Sequence, residues 1–258
     1  MMRIIVGSIA ILVVLLLVKS VELHAQGGPP VPVPPGFPTS PPPPPPASAE
    51  ELYRPKLKAQ PVERVSGDHY RMGDIEMYKN TGSLSFPAQV NMDRGLLEYL
   101  LVRTGGKTHE SLLRTAVEPY NLQLAFLLLG YEPTERPLKR QGDPEKPQGV
   151  PVEISITFKD KEGRPREIGA EEWIATKKEE KMGSTGKINW VFTGSRVING
   201  RFLAQSEGSI IATYHDPVAM IDNASAGGES NRIWFVQEGV VPAPGTAVTV
   251  TIRKAAGP

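Results

Sequence analysis

The residue types best able to do chemistry fall into two groups, each a histidine beside carboxylates. His109 is followed directly by Glu110, and His215 is followed by Asp216 and then by Asp222. Imidazole and carboxylate groups can hold zinc or another divalent ion, or act as an acid and base pair. A site that joins His109 to His215 is therefore one hypothesis, and it predicts a metal-dependent enzyme.

Each of these residues also has a structural interpretation, which the local sequence favours. On a strand, His109 and Glu110 would point to opposite faces of the sheet, so they could not easily enter one site. Asp216 precedes Pro217 and fits the N-cap of a helix, where its carboxylate would accept backbone donors, and Asp222 suits the turn beyond it. We therefore assign no catalytic residue, no metal ligand and no cofactor site.

Several other kinds of site are excluded by composition and spacing. The 258 residues contain no cysteine, which excludes thiolate nucleophiles, cysteine-ligated zinc, iron–sulfur clusters and disulfides. Residues 106–108 imitate the end of a phosphate-binding loop, but Leu101 stands where its first glycine should be. Neither Ser111 nor Ser195 lies in the turn that exposes a catalytic serine. Any catalysis or metal binding by this chain must therefore use oxygen-containing side chains and imidazole groups.

The charge of the chain is nearly balanced. It has 29 basic and 28 acidic residues, which leaves a formal net charge of +1. A surface that binds nucleic acid would be more basic, so nucleic acid is excluded as a partner. The densest charged stretch, residues 177–181, alternates in sign and is typical of a solvent-exposed face. Charge therefore identifies no partner.

The first residues have the pattern of an export signal. After Arg3, residues 4–18 are almost entirely apolar, and Lys19 and Glu22 then restore polarity. As a helix this stretch would span about 22 Å, less than the roughly 30 Å of hydrocarbon in a bilayer. We predict a signal peptide over residues 1–25 that is removed on export, with an uncleaved membrane anchor as the alternative.

A proline-rich stretch follows the signal. Residues 26–50 contain hardly a side chain that could enter a core, and residues 41–46 are all proline. Such a sequence favours extended polyproline II, so we predict a disordered linker before a globular domain over residues 51–258. A peptide that docks into an aromatic groove is the alternative. The domain would lie in the periplasm or outside the cell, or be anchored to the inner membrane by residues 4–18.

The globular part has mainly the pattern of β-strands. Residues 150–158 and 248–253 alternate between apolar and polar side chains, which is typical of strands with one buried face. Residues 190–193, 210–214 and 233–236 are shorter runs of β-branched and aromatic residues, bounded by turn residues. These patterns predict an antiparallel sheet or sandwich.

The sequence also predicts a hairpin and two helices. Residues 96–102 and 109–113 form the two strands of the expected hairpin, joined by a glycine-rich turn. Residues 119–129 begin with proline, precede a glycine and carry leucine around most of the helix circumference, so this helix should be buried on nearly all sides. A short helix near Ala170 should point Trp173 inward. The predicted fold class is α+β, a mainly antiparallel sheet or sandwich packed around the helix.

Five sequence runs, spread over residues 75–253, carry a family resemblance. They are 97–102, 105–113, 190–195, 211–217 and 221–223. In their residues and in their order along the chain, these runs resemble the YdjY-like domain of exported bacterial proteins. The resemblance implies a domain of uncharacterised activity. Some relatives are labelled ferredoxin-like through cysteine-rich segments that this chain lacks, so the redox role that the label implies rests on the resemblance alone.

Three functions follow as hypotheses. The first is a noncatalytic module of the cell envelope that binds a protein, a polymer or a small ligand, which the long spacer and the lack of a convincing catalytic group favour. The second is a metal-dependent hydrolase that uses His109 and His215, which requires these side chains to lie within about 5 to 8 Å of each other. The third is an accessory protein of a redox complex, which the resemblance implies.

Overall fold

The computed structural model of the protein describes residues 58–178 and 181–256. The predicted signal peptide (residues 1–25) and linker (residues 26–50) lie outside the described residues. The structure is mostly β, with 41% of residues in strands and 11% in helices, so strands dominate more than the predicted α+β class implies. No helix in the described ranges is long and apolar enough to cross a membrane.

The described chain forms seventeen strands and two α-helices. The strands are β1 (Val62–Ser66), β2 (His69–Met72), β3 (Ile75–Tyr78), β4 (Ser83–Val90), β5 (Tyr99–Arg103), β6 (Ser111–Thr115), β7 (Val150–Lys159), β8 (Pro165–Gly169), β9 (Ile174–Lys178), β10 (Lys181–Ser184), β11 (Trp190–Phe192), β12 (Val197–Ile198), β13 (Arg201–Phe202), β14 (Ser209–Ala212), β15 (Ile221–Asn223), β16 (Trp234–Val236) and β17 (Ala247–Lys254). The α-helices are α1 (Pro119–Leu128) and α2 (Leu203–Glu207), and 3₁₀ helices span Thr108–Glu110 and Ala170–Trp173.

Eight of the strands close into a barrel. Their order around the barrel is β4, β17, β7, β11, β15, β14, β5 and β6, and β6 pairs with β4 to complete the ring. Strands β1 to β3 extend from β4, and β8 pairs with β7 outside the ring. The prediction of a mainly antiparallel sheet is confirmed, but the sheet closes on itself instead of forming a sandwich. Closure leaves the ring without free edges.

The barrel wall is clearest where the sequence alternates most regularly. Val250 on β17 lies opposite Phe86 on β4 and Ile156 on β7, and all three side chains are almost completely buried. Thr249, the residue before Val250 on β17, is exposed and lies on the opposite face of the sheet. The predicted strands at residues 150–158 and 248–253 are therefore confirmed. Their apolar faces form part of one continuous core.

The predicted hairpin over residues 96–113 is wrong, because β5 and β6 run parallel. Tyr99 lies opposite Ser111, and Arg103 lies opposite Thr115. The 3₁₀ helix Thr108–Glu110 turns the chain back to the start of β5 instead of continuing a reversed strand. Each strand has only 5 residues, so a short connection can cover its length. The direction of β6 is set by its antiparallel pairing with β4 across the closing seam.

The predicted helix is confirmed as α1, but its predicted burial is wrong. Leu122, Ala125 and Phe126 are completely buried, whereas Leu127 is 44% exposed and Leu128 is 57% exposed. The Phe126 ring lies 4.5 Å from the Phe192 ring, which joins the helix to barrel strand β11. The helix therefore packs with one side against the barrel, and its last turn extends beyond the core. The barrel does not pack around it.

The smaller elements lie outside the ring. Strands β10, β9 and β16 form a three-stranded sheet, and β12 pairs with β13. The short helix predicted near Ala170 is confirmed as a 3₁₀ helix, in which Trp173 is 2% exposed. The Trp173 ring lies 5.0 Å from the Phe158 ring on β7. This contact fixes the segment after β8 against the barrel wall.

Candidate functional site

The first candidate pair, His109 and Glu110, lies on the 3₁₀ helix between β5 and β6. The His109 side chain is 78% exposed, the Glu110 side chain is 22% exposed, and His109 Nε2 lies 3.5 Å from Glu110 Oε2. The expectation that they lie on a strand and point to opposite faces is wrong, because the chain is helical here. The two side chains form a pair at the protein surface.

The second histidine, His215, is buried and has both ring nitrogens engaged. Its Nδ1 lies 2.6 Å from the Asp143 carbonyl oxygen, and its Nε2 lies 2.9 Å from the Asn223 carbonyl oxygen. The residue is 1% exposed. A carbonyl oxygen can only accept, and a neutral imidazole carries one N–H, so the tautomer decides which of the two nitrogens donates. His215 therefore connects two loops, and both of its ring nitrogens face backbone oxygens instead of open space where a metal ion could bind.

The two aspartates beside His215 also hold backbone groups. Asp216 Oδ1 accepts from the Val218 amide at 2.9 Å, as expected of a capping carboxylate, but a turn follows it instead of the predicted helix. Asp222 accepts from the amides of Asp216 and Asn223, at 3.0 and 2.8 Å. Burial raises the pKa of Asp222 well above its usual value, although these two bonds act in the opposite direction. Both carboxylates serve the loop between β14 and β15.

A buried phenol and a lysine, which sequence reasoning missed, join this loop to β5. Tyr99 donates to Asp216 Oδ2 at 2.6 Å, and Lys107 Nζ donates to the Tyr99 hydroxyl at 2.7 Å. Lys107 Nζ also lies 3.3 Å from Glu207 Oε2. Burial, and next the negative charge of Asp216, raise the pKa of Tyr99, so its hydroxyl remains protonated. The phenol can donate a hydrogen bond but cannot serve as a base.

The carboxylates around this network do not form a metal centre. Burial, and next the charge of Glu98, raise the pKa of Glu110, whereas His109 lowers it. Within residues 58–178 and 181–256, no three His, Cys, Asp or Glu side chains are grouped so that they could hold a metal ion. The arrangement can therefore brace loops at this end of the barrel.

An open cleft lies elsewhere, where two strands share one edge of β7. Strand β11 pairs with β7 as far as Val152, and β8 pairs with β7 from Ser155 onward. Glu153 and Ile154 lie between these pairings. Alternate residues of an antiparallel strand direct their N–H and C=O groups to opposite edges, so one of the two directs them into the gap. We call the cavity at this gap the β7 cleft.

The β7 cleft has a volume of about 460 Å³ and combines a buried apolar base with charged walls. The apolar residues Ile154, Ile188 and Trp190 are each at most 3% exposed. The full lining is Val152, Glu153, Ile154, Ser155, Glu167, Ile168, Gly169, Glu171, Glu172, Lys187, Ile188, Trp190 and Arg253. Sequence reasoning did not find this cleft, because its residues come from distant segments with no motif.

The charges that line the β7 cleft are unequally compensated. Arg253 donates to Glu153 at 3.0 and 2.8 Å, and Lys187 donates to it at 3.4 Å. The hydrogen bond from Arg253 lowers the pKa of Glu153, although burial opposes it. Glu171 has no such partner, and burial raises its pKa. The Glu153 carboxylate is therefore fully paired with cations. Glu171 is a partly buried carboxylate that forms no ion pair with a described residue.

Comparison with known proteins identifies a family. The family model of the YdjY domain matches residues 75–253. The match begins at the first residue of β3 and ends within β17, so it includes nearly all of the barrel and the β7 cleft. Searches of the curated proteins and of the solved structures found no significant match.

Proposed function

We propose that this chain, which belongs to the YdjY domain family, is an exported cell-envelope module that binds a ligand without transforming it. One contrast carries the proposal. His215, Asp216 and Asp222 are occupied by hydrogen bonds to backbone groups, whereas the β7 cleft is an open cavity of about 460 Å³. Cavities of this size, with an apolar base and a few polar groups, are typical of sites for small ligands.

The proposed location rests on the sequence. The apolar residues 4–18 would direct export, and the proline-rich residues 26–50 would separate the domain from the membrane. The module would work in the periplasm or outside the cell, with residues 4–18 as its anchor if they are retained. Its partner would be an envelope protein, a polymer or a small ligand, and the balanced charge argues against nucleic acid.

A metal-dependent hydrolase that uses His109 and His215 with nearby carboxylates is the alternative, and a redox accessory is the third function. No contact in the described chain favours either one. A hydrolase of this kind would need His215 to give up one of its two carbonyl partners. The absence of cysteine leaves a redox accessory without its usual cluster ligands.

Thermal unfolding of the full-length protein can test the proposal. The protein would be treated with chelator and then given zinc, manganese, nickel, calcium or magnesium, or one of a panel of small amines, acids and sugars. At about 100 times its Kd, a ligand adds roughly 2.7 kcal/mol and raises the midpoint by about 5 to 10 °C. We expect a member of the small-ligand panel, and no metal ion, to produce this shift.

Two variants locate the binding. Ser155→Trp places a large side chain in the β7 cleft, and Thr249→Trp places the same side chain on the exposed outer face of β17. The ligand-induced shift should disappear in the first variant and persist in the second. A metal-induced shift that is lost in His109→Ala or His215→Ala would instead establish the enzyme alternative.

A further inference from the structure

We propose that the β7 cleft binds a small organic amine, with Glu171 as the counter-ion of its ammonium group and Trp190, Ile154 and Ile188 against its apolar body. This inference rests on the proposed binding function and adds the chemical class of the ligand. The charge of the cleft, its shape, the unpaired carboxylate of Glu171 and the aromatic ring of Trp190 each support it.

The charge of the cleft lining is negative. Four carboxylates, from Glu153, Glu167, Glu171 and Glu172, face two cations, so the formal charge is −2. Both cations are bound to Glu153. Glu172 accepts the Gly169 amide at 2.9 Å, and neither Glu167 nor Glu171 forms an ion pair with a described residue. A cation that enters the cleft would therefore add an ion pair without displacing one.

Glu171 is the carboxylate best placed to hold that cation. Burial removes part of its hydration and is the largest influence on its pKa, which it raises. The hydrogen bond from its own backbone amide and the charge of Lys187 act in the opposite direction, and the charges of Glu172 and Glu153 add repulsion. A carboxylate in such surroundings gains more from an ammonium partner than an exposed one does, because the partner replaces lost hydration and the pair is less screened.

A second observation comes from the base of the cleft. Trp190 lines the cleft and is 2% exposed, and its Nε1–H has no hydrogen-bond partner among the described residues. Buried polar groups in proteins are normally paired. Indole also attracts cations more strongly than other aromatic side chains do. An ammonium group has no lone pair to accept this hydrogen bond, so Trp190 supports the proposal through its aromatic ring, which suits an organic cation.

Two other kinds of occupant, an extended peptide strand and a hydrated metal ion, do not suit the cleft. Only Glu153 and Ile154 lie between the paired residues Val152 and Ser155, a gap of roughly 10 Å at about 3.4 Å per residue. An extended peptide strand would collide with β8 or β11 at either end. A hydrated metal ion would need several oxygen ligands, and no suitable group of three exists within the described ranges. A small amine with an apolar body meets both limits.

The test compares phenethylamine with 2-phenylethanol, which has the same shape but no charge, by calorimetric titration of the full-length protein. We expect the amine to bind at least tenfold more tightly than the alcohol. Glu171→Gln should weaken binding of the amine at least tenfold and leave binding of the alcohol within twofold. Glu145→Gln, which removes the same charge from an exposed site outside the cleft, should change neither affinity by more than twofold.

The outcomes separate the ligand class from the function. Equal affinity for amine and alcohol, or an equal loss in both variants, would overturn the amine proposal. So would failure of phenethylamine to bind. In each of these cases the proposed function still stands if another ligand of the panel gives a thermal shift that Ser155→Trp abolishes. If no ligand gives such a shift, the binding function fails together with this inference.

Discussion

The two histidines differ most in what surrounds their ring nitrogens. His109 lies at the surface beside Glu110, whereas His215 is enclosed and placed between two backbone carbonyls. Sequence reasoning named both residues and expected Asp216 to accept backbone donors, although a turn stands where it placed a helix. It could not distinguish their surroundings, because Asp143 is distant from His215 in the sequence and only folding brings its carbonyl beside the imidazole. Residue type alone made both histidines candidate ligands, and the fold shows that only the ring nitrogens of His215 are enclosed by backbone oxygens.

Replacement of His215 by alanine should destabilise the protein strongly. The change removes the imidazole from between two buried carbonyls, takes away a hydrogen-bond donor and opens a cavity, so we expect the free energy of unfolding to fall by about 2 to 5 kcal/mol. His109→Ala removes a side chain that is 78% exposed and should change it by less than about 0.5 kcal/mol. Urea unfolding measures both. Similar losses in the two variants would contradict the structural role of His215.

Glu171 should impose a pH dependence on stability. Its pKa in the folded protein lies above the unfolded value of about 4.5, because it is partly buried. As pH rises from that value through the folded pKa, the unfolded protein ionises first, so stability is lost. The loss should be less than about 1 kcal/mol, because water still reaches the group.

The variant Glu171→Gln isolates this effect. Its stability relative to the original protein should increase over the same pH window and then become constant, as measured by urea unfolding at a series of pH values. Glu145→Gln provides the control at an exposed carboxylate. A difference between Glu171→Gln and the original protein that does not change with pH would show that burial does not shift this carboxylate.

At the level of elements, the local sequence pattern correctly predicted the features that depend on neighbouring residues in the chain. The alternation in β7 and β17 follows from one face being buried, and the ends of α1 follow from its proline and the glycine after it. The parallel direction of β6 and the exposed last turn of α1 depend on tertiary partners, which no local pattern records. The β7 cleft also depends on tertiary pairing, because it forms where β8 and β11 pair with the same edge of β7.

The two sides of α1 should respond differently to truncation. Leu122 is completely buried, so Leu122→Ala should cost about 2 to 5 kcal/mol through lost contacts and a cavity. Leu128 is 57% exposed, and Leu128→Ala should cost less than about 1 kcal/mol. Chemical denaturation of the two variants measures the difference. Equal costs would restore the prediction of a helix buried on all sides.

The contact between β7 and β11 leaves no room for a side chain at Gly149. An added Cβ would lie 2.1 Å from the Phe192 carbonyl oxygen, so Gly149→Ala must push the start of β7 away from β11. We expect a loss of about 1 to 3 kcal/mol, which lowers the midpoint by roughly 2 to 12 °C. Gly183→Ala on β10 has open space around its Cβ and should change little. Thermal unfolding compares them, and an unchanged midpoint in Gly149→Ala would contradict this packing.

At the scale of the whole molecule, closure of the barrel decides which residues become neighbours. Strand β17, late in the sequence, fits between β4 and β7 and pairs with both along nearly its whole length. Its pattern predicted a strand with one buried face but not its position. That position comes from pairing with two strands that are distant in the sequence, and the separate pairing of β4 with β6 completes the ring. The sequence thus predicted the strands of the fold and not the closed arrangement that brings the cleft residues together.

A chain that ends at Thr246 should therefore fail to fold cooperatively. Removal of β17 exposes the edges of β4 and β7 and uncovers the core around Phe86 and Ile156, because Val250 lies between them. We expect no cooperative thermal transition by circular dichroism, whereas a chain that ends at Lys254 keeps the full strand and should unfold cooperatively. A sharp transition in the shorter chain, close to that of the longer one, would mean that the ring does not depend on β17. The loss of cooperativity follows because exposed strand edges and an open core remove stabilisation from every strand of the ring together.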